Sequence, residues 1–135
     1  MKKLISVMLC ALLFFSLCAC NGGKIDDVKK PFVESEIYTQ EDIASAISII
    51  TEEFKKEWNG CTLTEIYYAG DDVSVEYQDW ADRNNADEVI VLLSSFDVDS
   101  SSGDGSLNPN STYDNWNWIL VRKTGGEWKH IDHGY

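Results

Sequence analysis

An α+β fold is predicted, in which a long N-terminal amphipathic helix packs on a curved antiparallel sheet of about four strands. Three observations predict it. Ile43, Ile47, Ile50, Phe54 and Trp58 recur at helical spacing. Glu88 to Phe96 is a nearly continuous run of Val, Ile and Leu, the pattern of a central strand. Two further β-rich runs flank Gly125-Gly126, a good hairpin turn. A helix with one apolar stripe, followed by an antiparallel sheet, buries a single core when the sheet wraps it.

The first element is not part of that core. Lys2 and Lys3 precede an apolar run from Leu4 to Ser16, shorter than the ~20 residues a spanning helix needs, and this reads as a signal peptide. Leu17-Cys18-Ala19-Cys20 then resembles the lipobox of bacterial lipoproteins, with Cys18 and Ala19 as small residues before the cut and Cys20 as the lipid acceptor. The resemblance implies a diacylglyceryl group on Cys20, palmitate-type acyl chains, and an extracytoplasmic protein held on the bacterial cell membrane without spanning it. Two acyl chains, each worth ~0.8 kcal/mol per buried methylene, suffice for stable anchoring. The competing reading is an unprocessed buried helix with incidental cysteines. Residues 1–19 are thus assigned to the signal peptide, 20–36 to a lipidated tether and 37–135 to a single α+β domain. Asn21 to Glu36 supports the tether, being polar and aperiodic with Gly22-Gly23 and Pro31.

Thr39 caps the long helix, Asp42 completes an aspartate variant of the capping box, and Tyr38 with Ile43 occupies the staple positions. Glu41, Glu52, Glu53, Lys55, Lys56 and Glu57 form its wet face, and Gly60 ends it. Cys61 to Ala69 is rich in β-formers and reads as a strand stopped by Gly70-Asp71-Asp72. From Val73 to Asn84 the pattern fits either a strand or a helix. A short helix capped by Ser74 and ending near Asn84-Asn85 is the favoured reading. After the central strand, Trp116 to Lys123 places Trp116, Trp118 and Leu120 on one face with Ile119 and Val121 on the other. Trp128 to His133 returns as the last strand.

Composition narrows the class of function. The chain has 11 basic and 23 acidic side chains, a net charge of −12. Cleavage before Cys20 removes residues 1–19, whose only charged side chains are Lys2 and Lys3, and leaves 116 residues with a formal charge of −14. Such a surface repels nucleic acid and favours a basic protein or peptide partner, a cation, or simple solubility. Of four cysteines, only Cys61 lies outside the leader and its acceptor site, so an intramolecular disulfide framework is excluded from the mature chain. There is no glycine-rich phosphate loop, Ser-His-Asp signature or HExxH pair.

The stretch from Asp97 to Thr112 is long for a hairpin connection, and Asp97, Asp99, Ser101 and Asp104 offer hard oxygen donors suited to calcium. Ser102 stands where an EF-hand loop has glycine and Asn108 where it has the bidentate glutamate, so a hydrogen-bonded structural loop is the competing use. His130, Asp132 and His133 invite metal or acid–base chemistry. On a regular strand His130 and Asp132 share a face and His133 points away, so a general base, His130 oriented by Asp132, is preferred to a metal pair unless the strand breaks. Cys61 is a nucleophile candidate if a base reaches it, and otherwise a small buried hydrophobe. Five tryptophans make an aromatic ligand site conceivable, with Tyr113 and Trp116 the exposed pair beside the loop.

Ser35 to Thr39, the block Val91 to Ser100 with Gly103 to Tyr113, and Trp118 to Arg122 through Gly126 to Lys129 are similar to a widespread, functionally uncharacterised domain of small lipoproteins in anaerobic Gram-positive bacteria. That resemblance implies a cystatin-like or NTF2-like fold and an outward-facing lipid anchor. It implies no activity. The expected function is a membrane-anchored, monomeric binding or interaction module, whose inhibitor or immunity-type variant would take a basic exported protein. The alternatives are a small hydrolase or isomerase using His130 and Asp132 in a helix–sheet pocket, and a calcium-stabilised structural domain.

Overall fold

Thr39 takes an extended conformation and accepts a hydrogen bond from the Asp42 backbone N–H, while the Asp42 carboxylate accepts from the Thr39 N–H. This reciprocal cap starts helix α1, Gln40–Glu57, in a computed structural model that describes residues 22–101 and 106–135. The expected signal peptide and the expected lipid acceptor Cys20 lie outside the described residues. Glu41 and Asp42 in the first turn and Lys55 and Lys56 in the last complement the helix dipole. Ile43, Ile47, Ile50 and Phe54 form the buried stripe that sequence periodicity predicts, joined by Ala46 and Thr51, while Trp58, the last residue of the predicted repeat, is the half-buried C-cap.

The strands are β1, Cys61–Tyr68, β2, Glu88–Val98, β3, Ser111–Arg122, and β4, Lys129–Gly134. They pair antiparallel in the order β1-β2-β3-β4. The protein is therefore α+β, with a helix packed on a four-stranded antiparallel sheet. Between β1 and β2 the ambiguous stretch is helical, but as two short pieces, α2, Asp71–Glu76, and α3, Gln78–Arg83. Ser74 does not cap a helix. It is buried, and its hydroxyl meets the Tyr68 hydroxyl at 3.0 Å.

Both faces of the sheet are covered. On the α1 side Ile66, Tyr68, Ile90, Leu92, Phe96, Trp118, Leu120 and Trp128 join the α1 stripe in the main core. On the other side Val89, Val91, Ile119 and Val121 pack against Ala81, with Val73, Tyr77 and Trp80 from the short helices at the margin. The continuous apolar run of β2 follows from this double burial, since alternate residues must both be apolar.

Arg122 ties the layers together. Its guanidinium bonds Asp42 of α1 at 3.0 Å and Glu88 of β2 at 2.5 Å, and lies over the Trp128 ring at 4.2 Å. Burial opposes the charge, but the two carboxylates overcome it and hold the Arg122 pKa above its ordinary value. Among the aromatics, burial raises the Tyr38 pKa to about 12.

The segment expected to be a tether is partly docked. Lys24 and Lys29 bridge to Thr62 and Glu65 of β1, and Ile25, Val28 and Val33 pack against the main core. Gly23 lies so close to Phe54 that an added Cβ would stand 2.5 Å from its carbonyl oxygen. Residues 23–29 thereby cover the β1 edge, which would otherwise present unpaired backbone groups. Asp71 fastens the chain further on, accepting from the Ser35 hydroxyl at 2.6 Å, the Glu36 N–H at 2.8 Å and the Tyr68 hydroxyl at 2.7 Å. No helix among the described residues is long and apolar enough to cross a membrane.

Candidate functional site: an aromatic and histidine cluster

Two β-bulges assemble the site. In β3 the pairing passes from Ser94↔Trp116 to Phe96↔Tyr113, so three steps in β3 match two in β2. Asn115 absorbs the extra residue with φ 57°, a left-handed conformation that asparagine tolerates. Without the bulge, Tyr113 and Trp116 would face opposite ways, because strand side chains alternate. With it, both join the α1 side of the sheet.

The second bulge lies in β4. Ile119 pairs with Asp132 and Leu120 with His130, which leaves Ile131 as the additional residue, packed toward the second core. The alternation that separates His130 from His133 is broken there. His130 Nε2 lies 3.3 Å from His133 Nδ1, with ring centroids 5.2 Å apart. The sequence expectation that the imidazoles diverge is thus corrected by one inserted residue.

Asp132 does not orient His130 through its carboxylate. That carboxylate accepts from the His133 backbone N–H at 2.8 Å, and only the Asp132 carbonyl approaches His130 Nε2, at 3.0 Å. The orienting carboxylate belongs to Glu53 of α1, whose Oε2 is 2.6 Å from His130 Nδ1. Sequence periodicity puts Glu53 on the wet face, yet it follows Ile49 by four residues and so stands on the shoulder of the apolar stripe. The His130 side chain is 10% exposed and that of Glu53 30%. Burial holds the His133 pKa below the ordinary imidazole value, His130 acts in the same direction, and Asp132 and Glu53 oppose them.

Indoles surround the pair. His133 lies 5.2 Å from the Trp58 and Trp118 rings and stacks at 6.0 Å on Trp116. Trp118 donates its Nε1–H to the Ser94 hydroxyl at 2.7 Å. The Trp116 Nε1 atom is buried with no hydrogen-bond partner among the described residues. Tyr113 and Trp116, expected as the exposed pair, are half-buried, and the exposed aromatic here is Tyr135 at 77%, 6.1 Å from Tyr113 and 5.2 Å from Trp116. Trp58 and Tyr135 escape sequence reasoning. The helical spacing marks Trp58 only as a core residue, and Tyr135 follows a glycine with no periodic pattern around it.

The remaining candidates lie elsewhere. Cys61 is buried at the start of β1, with β2 and β3 between its strand and that of His130, so no base of β4 shares its strand pair. Asp97 belongs to β2, not to the loop, and accepts from the Thr112 hydroxyl across the ladder at 2.6 Å. Asp99 accepts from the Ser101 hydroxyl and N–H, both at 2.7 Å, and these bonds lower its pKa. Asp104 lies outside the described residues. Among the described residues no three His, Cys, Asp or Glu side chains form a group that would hold a metal ion.

A groove of about 700 Å³ runs between α1 and the β3–β4 turn, lined by Ser45, Ile49, Glu52, Glu53, Glu127 and Trp128 among others. His130 is not in its wall and reaches it only through Glu53. No protein-family model, curated protein or solved structure matches the chain at a significant level.

Proposed function

We propose that this chain is a lipid-anchored extracytoplasmic binding module, held to the membrane through Cys20, which takes a basic peptide or protein segment on the ledge formed by Tyr113, Trp116, His133 and Tyr135. The exposed Tyr135 ring against Trp116 is the observation that carries the reading. Aromatic faces attract Lys and Arg head groups, and a net charge of −12 steers cationic partners toward the surface. The helix lying across a four-stranded antiparallel sheet supports a cystatin-like or NTF2-like fold. An inhibitor or immunity-type role against a basic exported protein falls within this reading.

Titration with Lys- and Arg-rich peptides, followed by tryptophan fluorescence, tests it. A saturable change that weakens with salt and is lost in Tyr135→Ala is expected. No response at low salt would count against the module. Metabolic labelling with a palmitate analogue tests the anchor, which Cys20→Ser should abolish.

A second reading rests on one contact, Glu53 with His130, which gives a hydrolase or isomerase its oriented base, with Glu53 in the role that the sequence suggests for Asp132. It predicts turnover abolished by His130→Gln. The calcium-stabilised alternative keeps Asp97 and Asp99, and its test is a melting temperature that rises with added calcium.

A further inference from the structure

Two imidazoles and a backbone carbonyl meet at the β4 bulge. His130 Nε2 stands 3.3 Å from His133 Nδ1 and 3.0 Å from the Asp132 carbonyl oxygen. Zinc–imidazole bonds of about 2.0–2.1 Å, at a tetrahedral angle, hold two ligating nitrogens about 3.3 Å apart. The pair therefore already has the bite of a single ion. On the opposite edge of the His130 ring, Glu53 Oε2 faces Nδ1 at 2.6 Å. A carboxylate there selects the Nδ1–H tautomer and leaves the Nε2 lone pair for an ion, as it does behind metal-bound histidines.

We propose that His130 Nε2 and His133 Nδ1 chelate a divalent first-row transition ion of the Zn²⁺ or Cu²⁺ kind, with the Asp132 carbonyl as third donor and Glu53 orienting His130. Water completes the shell on the solvent side, where His133 is exposed. Imidazole donors select against Ca²⁺ and Mg²⁺, which demand oxygen ligands. The acidic surface concentrates cations of either kind, so the selectivity belongs to the histidines. His130 is oriented by Glu53 and His133 is held against the Trp58, Trp116 and Trp118 rings, so little has to be ordered on binding. Chelation does not require the peptide-binding ledge, and the two fail by separate measurements.

The test is a titration of the full chain in detergent with Cu²⁺, read by tryptophan fluorescence, beside Zn²⁺ calorimetry, on the wild type, His133→Ala, His133→Asn and Glu53→Gln. Bound Cu²⁺ lies against the Trp58, Trp116 and Trp118 rings that flank His133, so saturable quenching is expected. Loss of an orienting partner costs about 10–100-fold in metal affinity, so Glu53→Gln should weaken binding by that much and loss of His133 by at least as much. Ca²⁺ should produce no response. Undiminished affinity in both His133 variants would assign the ion to other groups, such as the acidic surface or the N-terminal cysteines, and overturn the proposal. Copper binding that leaves indole emission unchanged would overturn it as well. His133 is exposed, and the shape-conserving asparagine variant keeps the test decisive if the alanine variant fails to fold.

Discussion

Ser94 has no solvent exposure, and its hydroxyl accepts the Trp118 indole N–H at 2.7 Å. Replacing it with alanine strands a buried donor, which costs about 1–3 kcal/mol. Ser94→Ala is therefore expected to lose that much in a denaturant titration, against a few tenths for a surface change such as Ala44→Ser on the exposed side of α1. Arg122 is a second such residue, since its side chain is 12% exposed and two carboxylates depend on it. Removing one partner of a mostly buried ion pair leaves uncompensated charge, so Arg122→Met is expected to cost about 2–4 kcal/mol, somewhat below the fully buried case. Equal stability of Arg122→Met and wild type would refute the clamp. Neither role was legible in the sequence. A serine in an apolar run and an arginine ending a strand acquire meaning only from partners 24 and 80 residues away.

At the scale of elements, α1 is the part most fully written in local sequence. The capping box uses residues three apart and the stripe uses turns of one helix, so both could be read before any tertiary contact was known. Thr39→Ala is expected to cost about 1 kcal/mol, and Thr39→Asp much less, by thermal melts. The bulges are the opposite case. Nothing in Trp116 to Lys123 or Trp128 to His133 marks where the ladder gains a residue, because the register depends on which partner residues are paired across the sheet. Deleting Ile131 removes the extra residue and leaves His130 and His133 two positions apart on a regular strand, still on one face. The expected outcome is a folded chain whose His133 keeps its contacts with Trp58 and Trp116, seen as retained ring-current shifts on its imidazole protons. Loss of those shifts would show that the bulge does not set the face.

For the whole molecule, several carboxylates bind the folded state together and are themselves held acidic by it. Arg122 lowers the Asp42 pKa, the Ser35 hydroxyl and then the Glu36 N–H lower that of Asp71, the Thr124 N–H lowers that of Asp87, and the Ser101 hydroxyl lowers that of Asp99. A carboxylate whose folded value is depressed binds protons more readily when unfolded. Its contribution is fully present above the unfolded value, ~3.9, and is lost as pH falls through the lower folded value. The melting temperature is expected to fall slightly between about pH 7 and pH 5, where unfolded His133 takes up a proton that the folded form resists, and to drop steeply below about pH 4. Asp71→Asn should melt lower at neutral pH and show a shallower acid slope, since it severs the tie between residues 35–36 and α2. A melting temperature that stays level to about pH 3 would remove this account.

The amino-acid order alone determined the α+β class, the apolar stripe of α1, the central strand, the final hairpin and the acidic surface. These depend on periods of a few residues and on composition, which are local quantities. The tertiary structure decided that the second sheet face is covered by α2 and α3, that residues 23–29 lie along the β1 edge, that Asp97 is a strand residue, and that Glu53 rather than Asp132 holds His130. Each of these is a pairing between distant segments. Its free energy comes from groups that meet only after the chain has closed on itself, and no window of neighbouring residues contains both partners.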